Sequence, residues 1–422
     1  MMRDKLKVVW LCSYSDTDLR SHLTFPRWYW GNVIRHALGM DSYPDYAAWV
    51  SNALEEVKDF TDKVEIHVVS PHSGISHLHE FESDGIYYHV FWSEWDIIWE
   101  KIKRRLNRRT VNSFKNHRKI ISRIIKAINP DIVHVIGIEN KFHSMAVLDL
   151  PSSVPVIVQL QTLVSDSRFK DNCSLSDKEY LFDSGIEKMI LKRANYIGTI
   201  VERFRRIISE EIKPEATFVD TTLALTEKVN ESETEKAFDF VYFAADISKA
   251  ADWAIEAFAL AQKKHPSIKL DIIGGYSKDY RLVLDNRISE LGLSSSVTFE
   301  GKLPTHQDVI NQIRKSRFAI LPLKIDLVSG TIREAMANGI PVVTTETPLT
   351  PTLNAKAQSI LIAPNGDFQA MSDRMCDLLE NPQLADTIRK NAFSLASVME
   401  SNKDVVRDWV RTYYKIMEES NQ

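Results

Sequence analysis

Short, β-branched apolar runs alternate along the chain with longer segments of helical periodicity. In the first half of the chain such runs lie at residues 8–12, 64–69, 132–136 and 154–158. Apolar runs separated by helical segments are typical of parallel strands in a sheet that is covered on both faces. The first half is therefore predicted to be an α/β domain.

The alternation stops after residue 225, where charged residues are dense up to residue 236, and then starts again. Further strands are predicted at 240–243, 270–273, 297–299, 318–321 and 341–344, and a helix at 251–264. We interpret the second half as another doubly wound unit, joined to the first by an exposed linker. Ligands of such units bind outside the carboxyl ends of the strands. A final amphipathic helix is expected over 402–419, packed on a domain.

Composition narrows the class of protein. Hydrophobic residues make up 44% and charged residues 26% of the 422 residues, which excludes disordered and collagen-like chains. The formal net charge of −4 lacks the basic excess of a nucleic-acid-binding protein, so no nucleic-acid partner is expected. We find no signal-peptide core, no run of ~18 uncharged apolar residues and no paired cysteine spacing. A cytoplasmic protein is the expectation.

The most informative motif combines a turn with a helix in the second half. The turn is Ser329–Gly330, and the helix is predicted to begin at Thr331. Thr331 and Glu334 have the spacing of a capping box, and Gly339 stands where a glycine commonly ends a helix. The N–H groups at such a helix start attract phosphate. The alternative is that Thr331 and Glu334 only cap the helix.

This stretch resembles the donor-site motif of the nucleotide-sugar glycosyltransferases of family 4. Members carry two acidic residues separated by seven positions, followed by Ala-Met-Ala-x-Gly-x-Pro-Val-Val. Asp326, seven intervening residues, Glu334 and then residues 335–343 match this pattern. The resemblance extends over residues 240–395 and is looser in the first half.

The resemblance implies an α/β protein of the GT-B fold, in which two Rossmann-like doubly wound domains face each other across a cleft. Residues 1–225 would form the acceptor-binding domain and residues 237–400 the domain that binds the nucleotide-sugar donor. The terminal helix, residues 401–422, would pack back on the first domain.

Roles in the donor site also follow from the resemblance. Glu334 would accept the ribose hydroxyls, and Asp326 would hold the transferred sugar. Lys249 would neutralise the departing diphosphate, so that no metal and no cofactor beyond the donor itself is needed. The remaining donor-binding residues would be Ser329, Gly330 and Thr331, which cradle the diphosphate, together with Gly274, Gly275, Gly301 and Lys302.

Two departures from the family pattern bear on activity. Asp326 stands where a glutamate is usual, which shortens the side chain by one methylene. Asp246 stands where the family has an arginine, and an acid pointing inward there would repel diphosphate. Asp246 and the substituted positions of the acceptor half motivate an alternative from another class, a non-catalytic partner that binds sugar nucleotides or glycans and keeps the same fold.

The acceptor half gives weaker signals. His134 lies near the end of a predicted strand, where it would either contact the sugar or acceptor or serve as a core histidine. Glu139 and His143 follow in the next loop, and Gln161 occupies a position where relatives often have histidine. The sequence does not decide between the two roles of His134.

A basic segment departs from the balanced overall charge. Residues 101–130 contain eleven lysines and arginines and no acid, and Trp92, Trp95 and Trp99 come just before them. Basic residues beside tryptophans suit an anionic membrane surface, bound here through Lys101 to Lys126. The alternative is a solvated basic helix.

The resemblance implies a retaining hexosyltransferase. It would move a hexosyl group from a nucleoside diphosphate sugar, such as a UDP-sugar, to a hydroxyl of a glycan or lipid-linked acceptor. A role in cell-surface polysaccharide synthesis, as a peripheral protein at the inner face of the membrane, is the corresponding expectation.

Overall fold

The computed structural model describes residues 5–37, 43–106, 108–173, 176–225, 234–244, 249–324, 329–347 and 349–420. The chain divides into two compact units. The first unit comprises Met1–Ala224 and Ser401–Gln422, and the second comprises Leu225–Glu400. Most of the predicted linker, residues 226–233, lies outside the described residues.

Each unit is built on one sheet. The strands of the first are β1 (Leu6–Leu11), β2 (Val64–Pro71), β3 (His79–Ser83), β4 (Ile86–Phe91), β5 (Ile132–Ile136), β6 (Val156–Gln159), β7 (Tyr196–Gly198) and β8 (Thr217–Val219). The strands of the second are β9 (Phe238–Phe243), β10 (Leu270–Ile273), β11 (Val297–Gly301), β12 (Ser316–Ile320), β13 (Val342–Thr345) and β14 (Leu361–Ala363).

Helices connect the strands. The first unit begins with α1 (Thr17–Ser21), α2 (Trp30–Ala37), α3 (Ala48–Val57), α4 (Glu94–Arg105), α5 (Lys115–Ile128), α6 (Lys141–Ser144), α7 (Ser167–Cys173), α8 (Asp177–Arg193) and α9 (Glu202–Ile207). The second contains α10 (Ala251–Lys264), α11 (Lys278–Glu290), α12 (His306–Ile313), α13 (Gly330–Ala337), α14 (Phe368–Glu380) and α15 (Pro382–Val398). The last helix, α16 (Asn402–Ser420), belongs to the first unit. None of the helices that the structure describes is long and apolar enough to cross a bilayer.

The strand orders are those of doubly wound folds. The first sheet runs β3-β4-β2-β1-β5-β6-β7-β8 and is parallel except for the β3–β4 hairpin. The second runs β11-β10-β9-β12-β13-β14 and is parallel throughout. The predicted α/β class with two Rossmann-like units is therefore confirmed. The hairpin was not predicted, because β3 is a half-exposed edge strand without an apolar run.

In each unit the sheet supplies the core. Successive side chains of β9 point to opposite faces, so Phe240 and Tyr242 enter one apolar cluster, and Val241 and Phe243 enter the other. In the first unit, α16 packs against α3 and covers Trp10 of β1. These two covered sheets fix the carboxyl ends of their strands, where the candidate sites lie.

Candidate functional site

The donor-site residues lie at the switch point of the second sheet. The strand order reverses between β9 and β12, and this is where ligands of doubly wound folds bind. Lys249 follows β9, and Ser329 follows β12. The Lys249 Nζ lies 3.5 Å from the Ser329 Oγ, so the two predicted residues meet although 80 positions separate them.

A polar cluster surrounds the start of α13. Ser329 is buried and is the N-cap residue, but its side chain makes no capping hydrogen bond. Its Oγ lies instead 2.5 Å from the Thr331 Oγ1. The predicted capping box of Thr331 and Glu334 is therefore wrong, because the helix begins one residue earlier, at Gly330. The first N–H groups of α13 lie at the same helix end as the hydroxyls of Ser329 and Thr331, and such N–H groups have no partner within the helix.

The C-terminal end of α13 is where the sequence predicted it, at Gly339. Gly339 has φ +64°, the left-handed conformation of a residue that ends a helix, and Asn338 is the C-cap. The apolar face of the helix, with Ile332, Ala335 and Met336, is buried against the sheet. The helix is thus fixed with its N-terminus at the edge where a ligand would bind.

Glu334 lies on the first turns of α13. Its side chain is 13% exposed, and its Oε1 lies 4.0 Å from the Nε2 of His306, which follows β11 at the start of α12. A carboxylate held this way can accept hydrogen bonds from a diol. His306 was missed by the sequence interpretation, because the only local signal is the capping box of Thr305 and Asp308 beside it.

The predicted glycines form a close corner at the ends of β10 and β11. The Gly274 N–H donates to the Gly301 carbonyl at 2.8 Å. A Cβ on Gly274 would lie 2.2 Å from the Ala244 carbonyl oxygen, and one on Gly275 would lie 2.9 Å from the Lys302 side chain. Gly301 has φ +73°. The structure therefore brings Gly274, Gly275, Gly301 and Lys302 together and leaves no room for a side chain at Gly274.

Two residues of the donor-site prediction are not placed. Asp326 and Asp246 lie outside the described residues. The roles of these two acids stay as expectations from the sequence.

The first sheet has its own switch point, between β1 and β5, and a polar network lies there. His143 is buried, with its Nδ1 2.8 Å from the Ser13 Oγ and its Nε2 2.9 Å from the Gly137 carbonyl oxygen. Because a carbonyl only accepts, Nε2 carries the proton and the Ser13 hydroxyl donates to Nδ1. Burial lowers the pKa of His143 to about 4, which keeps it neutral.

Glu139 is the most perturbed acid of this network. The side-chain amide of Gln161 is oriented so that each of its atoms has a suitable hydrogen-bond partner. Its nitrogen donates to the Glu139 Oε1 at 2.9 Å, and its oxygen accepts from the Trp49 Nε1 at 3.0 Å. The Glu139 Oε2 is buried and has no partner among the residues that the structure describes. Burial raises the pKa of Glu139 to about 7. A buried carboxyl with one open oxygen at a switch point is a candidate ligand contact.

His134 is a core histidine. It is 1% exposed, and its Nδ1 lies 2.7 Å from the hydroxyl of Tyr413 on α16. Its ring lies edge-on to Trp409, and burial lowers its pKa to about 3. Of the two roles left open by the sequence, the structure shows the core role, and the proposed contact of His134 with sugar or acceptor is not retained.

Comparison with known proteins finds one family model that matches most of the second unit. Residues 226–395 match the family model of the glycosyl transferases group 1. The match covers the switch point with Lys249 and Ser329 and the whole of α13. Curated protein sequences include no match to the chain. The donor-side cluster thus lies inside the stretch that is similar to the glycosyl transferases group 1.

Solved structures support the same fold for the whole chain. Sucrose-phosphate synthase from Thermosynechococcus elongatus has a TM-score of 0.66 at 15% identity, covering 98% of this chain and 100% of its own. Trehalose 6-phosphate synthase from Burkholderia multivorans gives 0.68 at 10%, with 99% and 98% covered. Anabaena HepE, solved with UDP and glucose, gives 0.63 at 13%, with 97% and 100% covered. The fold is therefore GT-B, and at these identities the likeness concerns fold alone.

Proposed function

We propose that the protein transfers a hexosyl group from a nucleoside diphosphate sugar to a hydroxyl of a glycan or lipid-linked acceptor, with retention of anomeric configuration. The observation that carries the proposal is the Lys249–Ser329–Thr331 cluster at the start of α13, inside the region that matches the glycosyl transferases group 1. UDP is the nucleotide we test first, because HepE, a protein of similar fold, was solved with UDP and glucose.

The chemistry follows from where charge develops. Breaking the bond between sugar and diphosphate leaves negative charge on the phosphate oxygens. Lys249, the hydroxyls of Ser329 and Thr331 and the first N–H groups of α13 would stabilise that charge in place of a metal ion. Loss of one such oriented donor typically costs ~3–4 kcal/mol of transition-state stabilisation. These three side chains would therefore stabilise the leaving group.

Glu334 is assigned to the ribose. Its half-buried carboxylate on α13 would accept two hydroxyl hydrogens of the nucleotide, with His306 as a neighbour. The glycine corner of Gly274 and Gly301 would let the backbone approach the donor closely. Asp326 keeps its expected role of holding the transferred sugar.

On the acceptor side we assign Glu139. Its buried Oε2, which has no partner among the described residues, would accept a hydrogen bond from an acceptor hydroxyl that reaches it, while Oε1 stays bound to Gln161. A site built to bind a hydroxyl discriminates strongly against analogues that lack it, because its buried polar atom is then left unpaired. Glu139→Gln should therefore raise the KM for acceptor more than it lowers kcat, while the affinity for UDP stays unchanged.

We further propose that the acceptor is lipid-linked and that the transfer takes place at the inner face of a membrane. The product would then contribute to cell-surface polysaccharide. These proposals are supported by the basic segment of the first unit, which an anionic surface would attract.

Titration calorimetry with UDP, GDP and ADP and their hexose conjugates, followed by mass spectrometry of products, tests the function. We expect saturable binding of a nucleotide sugar and transfer to an oligosaccharide or glycolipid acceptor, with NMR showing the retained anomer. Glu334→Ala should weaken nucleotide binding by about tenfold or more, whereas the surface control Glu290→Ala should not. Binding without turnover would favour the non-catalytic partner, and no binding of any nucleotide would refute both.

A further inference from the structure

We propose that the outer face of α4, together with the cationic groove between α4 and α8, binds the surface of an anionic phospholipid bilayer. The inference deepens the proposed function, because it names the surface on which a lipid-linked acceptor would be met. It rests on α4 itself, whose polarity is the reverse of that of an ordinary surface helix.

The inward face of α4 is acidic. Asp96 and Glu100 are 5% and 8% exposed and accept hydrogen bonds from the first turn of α5 and the residue before it. The Asp96 Oδ2 accepts from the His117 N–H at 2.7 Å, and the Glu100 Oε1 from the Phe114 N–H at 3.3 Å. Carboxylates at a helix N-terminus are stabilised by its unpaired N–H groups and dipole. The polar contacts of α4 are therefore used to hold it on its own unit.

The outward face of α4 is apolar. Trp95, Trp99, Ile102 and Leu106 are spaced by four, three and four residues, which places them in one stripe. They are 66%, 54%, 40% and 56% exposed. An apolar stripe left open to solvent marks an interaction surface. Tryptophan at the level of lipid headgroups is typical of helices that lie in a membrane interface.

Positive charge flanks the stripe. A groove of about 1110 Å³ runs between α4 and α8, and its lining includes five cations and one acid, Glu179, which pairs with Arg104. The cations are Lys101, Arg104, Arg105, Arg109 and Lys178. Leu181 and Phe182 provide apolar surface in the same groove. Apolar walls beside several cations fit an anionic headgroup and the first part of its chains.

The location differs from the sequence expectation, which extended the surface to Lys126. The cations of α5, such as Lys119 and Arg123, are exposed, but the apolar residues Ile121, Ile124 and Ile125 of that helix are buried in the unit. Helix α5 is therefore a solvated basic helix, as in the alternative interpretation of the basic segment. It can add electrostatic attraction but has nothing to insert.

An anionic bilayer suits the surface better than two other partners. A second copy of the chain, docked by the same face, would bring cations against cations. RNA would explain the cations but not a stripe that includes isoleucine and leucine. A bilayer with an apolar interior and anionic headgroups matches both the apolar stripe and the flanking cations.

Vesicle flotation of the full chain tests the proposal. We expect binding to vesicles of phosphatidylcholine mixed with phosphatidylglycerol, little binding to pure phosphatidylcholine, and loss of binding at high salt. Lys101→Ala with Arg105→Ala should lower the partition coefficient by roughly 25-fold, about fivefold for each cation lost. Trp95→Ala with Trp99→Ala should lower it about tenfold or more.

Two further variants are controls. Leu282→Ala with Val283→Ala removes two exposed apolar side chains of α11 in the second unit and should change nothing. Lys119→Ala with Arg123→Ala should have a smaller effect than the α4 cation pair, because α5 only adds attraction.

Insertion has a readout of its own. Brominated phosphatidylglycerol should quench part of the tryptophan fluorescence, and Trp95→Phe with Trp99→Phe should abolish quenching while retaining most binding. Absence of binding at low salt, full binding by the Trp95→Ala, Trp99→Ala protein, or binding to RNA but not vesicles would overturn the proposal. Transfer to a water-soluble acceptor should persist in all α4 variants, so failure here is separable from failure of the proposed transferase.

Discussion

Removing the Tyr413 hydroxyl should destabilise the first unit selectively. This oxygen accepts from the Trp10 Nε1 at 3.0 Å, so its own hydrogen is donated to the His134 Nδ1 at 2.7 Å. All three residues are at most 1% exposed. Tyr413→Phe would leave an indole N–H and an imidazole nitrogen buried without partners, at ~1–3 kcal/mol each. We expect the free energy of unfolding to fall by about 2–4 kcal/mol.

Urea unfolding followed by tryptophan fluorescence measures this change, because eight of the nine tryptophans lie in the first unit and only Trp253 lies in the second. The matched control is Tyr414→Phe, whose hydroxyl donates to the Lys63 carbonyl at 2.9 Å in an exposed position. It should cost less than about 1 kcal/mol. Equal effects of the two substitutions would refute the assignment of His134 to a buried hydrogen-bond network.

Substitutions of Glu139 and Gly339 should also change stability. Burial raises the pKa of Glu139 from 4.5 to about 7. Between these two pH values the folded state keeps a proton that the unfolded state releases. The stability that this proton contributes is therefore lost as pH rises from 4.5 through 7. The unfolding free energy of Glu139→Gln, measured relative to that of the parent protein, should therefore rise by ~2–3 kcal/mol from pH 5 to pH 8. A difference between the two proteins that does not change with pH would contradict the raised pKa. Gly339→Ala should destabilise the second unit by about 1–2 kcal/mol through backbone strain, since its Cβ would meet only the Arg389 Cγ at 3.8 Å. Hydrogen exchange of the most protected amides in the second sheet checks this, and unchanged protection would contradict it.

Much of the fold was predictable because burial on both faces leaves a plain signal. The runs at Ile132–Ile136 and Leu270–Ile273 coincide with β5 and β10, and Ala251–Lys264 coincides with α10. The β3–β4 hairpin was not predictable in this way, because β3 alternates between half-buried and exposed residues and lies at the sheet edge. Periodicity reports burial, and half-exposed edge strands have little of it.

The sites were predictable where local sequence carries the geometry. Ser329, Thr331 and Gly339 belong to one turn and one helix, so their arrangement is local, although the exact N-cap was missed. The partners of His134 and Glu139 come from remote segments: Tyr413 lies 279 positions from His134. Burial and pairing of such residues depend on tertiary packing, which a single motif does not report.

The same limit explains the basic segment. Charge counting indicated residues 101–130 as a whole, but the polarity of each helix depends on which face is buried. Asp96 and Glu100 face inward because they bind the start of α5. That contact turns Trp95 and Trp99 outward and distinguishes α4 from α5.

We expect the second unit to bind a nucleoside diphosphate sugar through the cluster at the start of α13. Titration calorimetry of UDP and UDP-hexoses with the full chain, compared with Lys249→Ala and with the exposed-lysine control Lys278→Ala, tests it most directly. The expected result is one saturable site that Lys249→Ala weakens by about tenfold or more and that Lys278→Ala leaves unchanged. Equal affinities for all three proteins, or no binding of any nucleoside diphosphate to the parent protein, would contradict it.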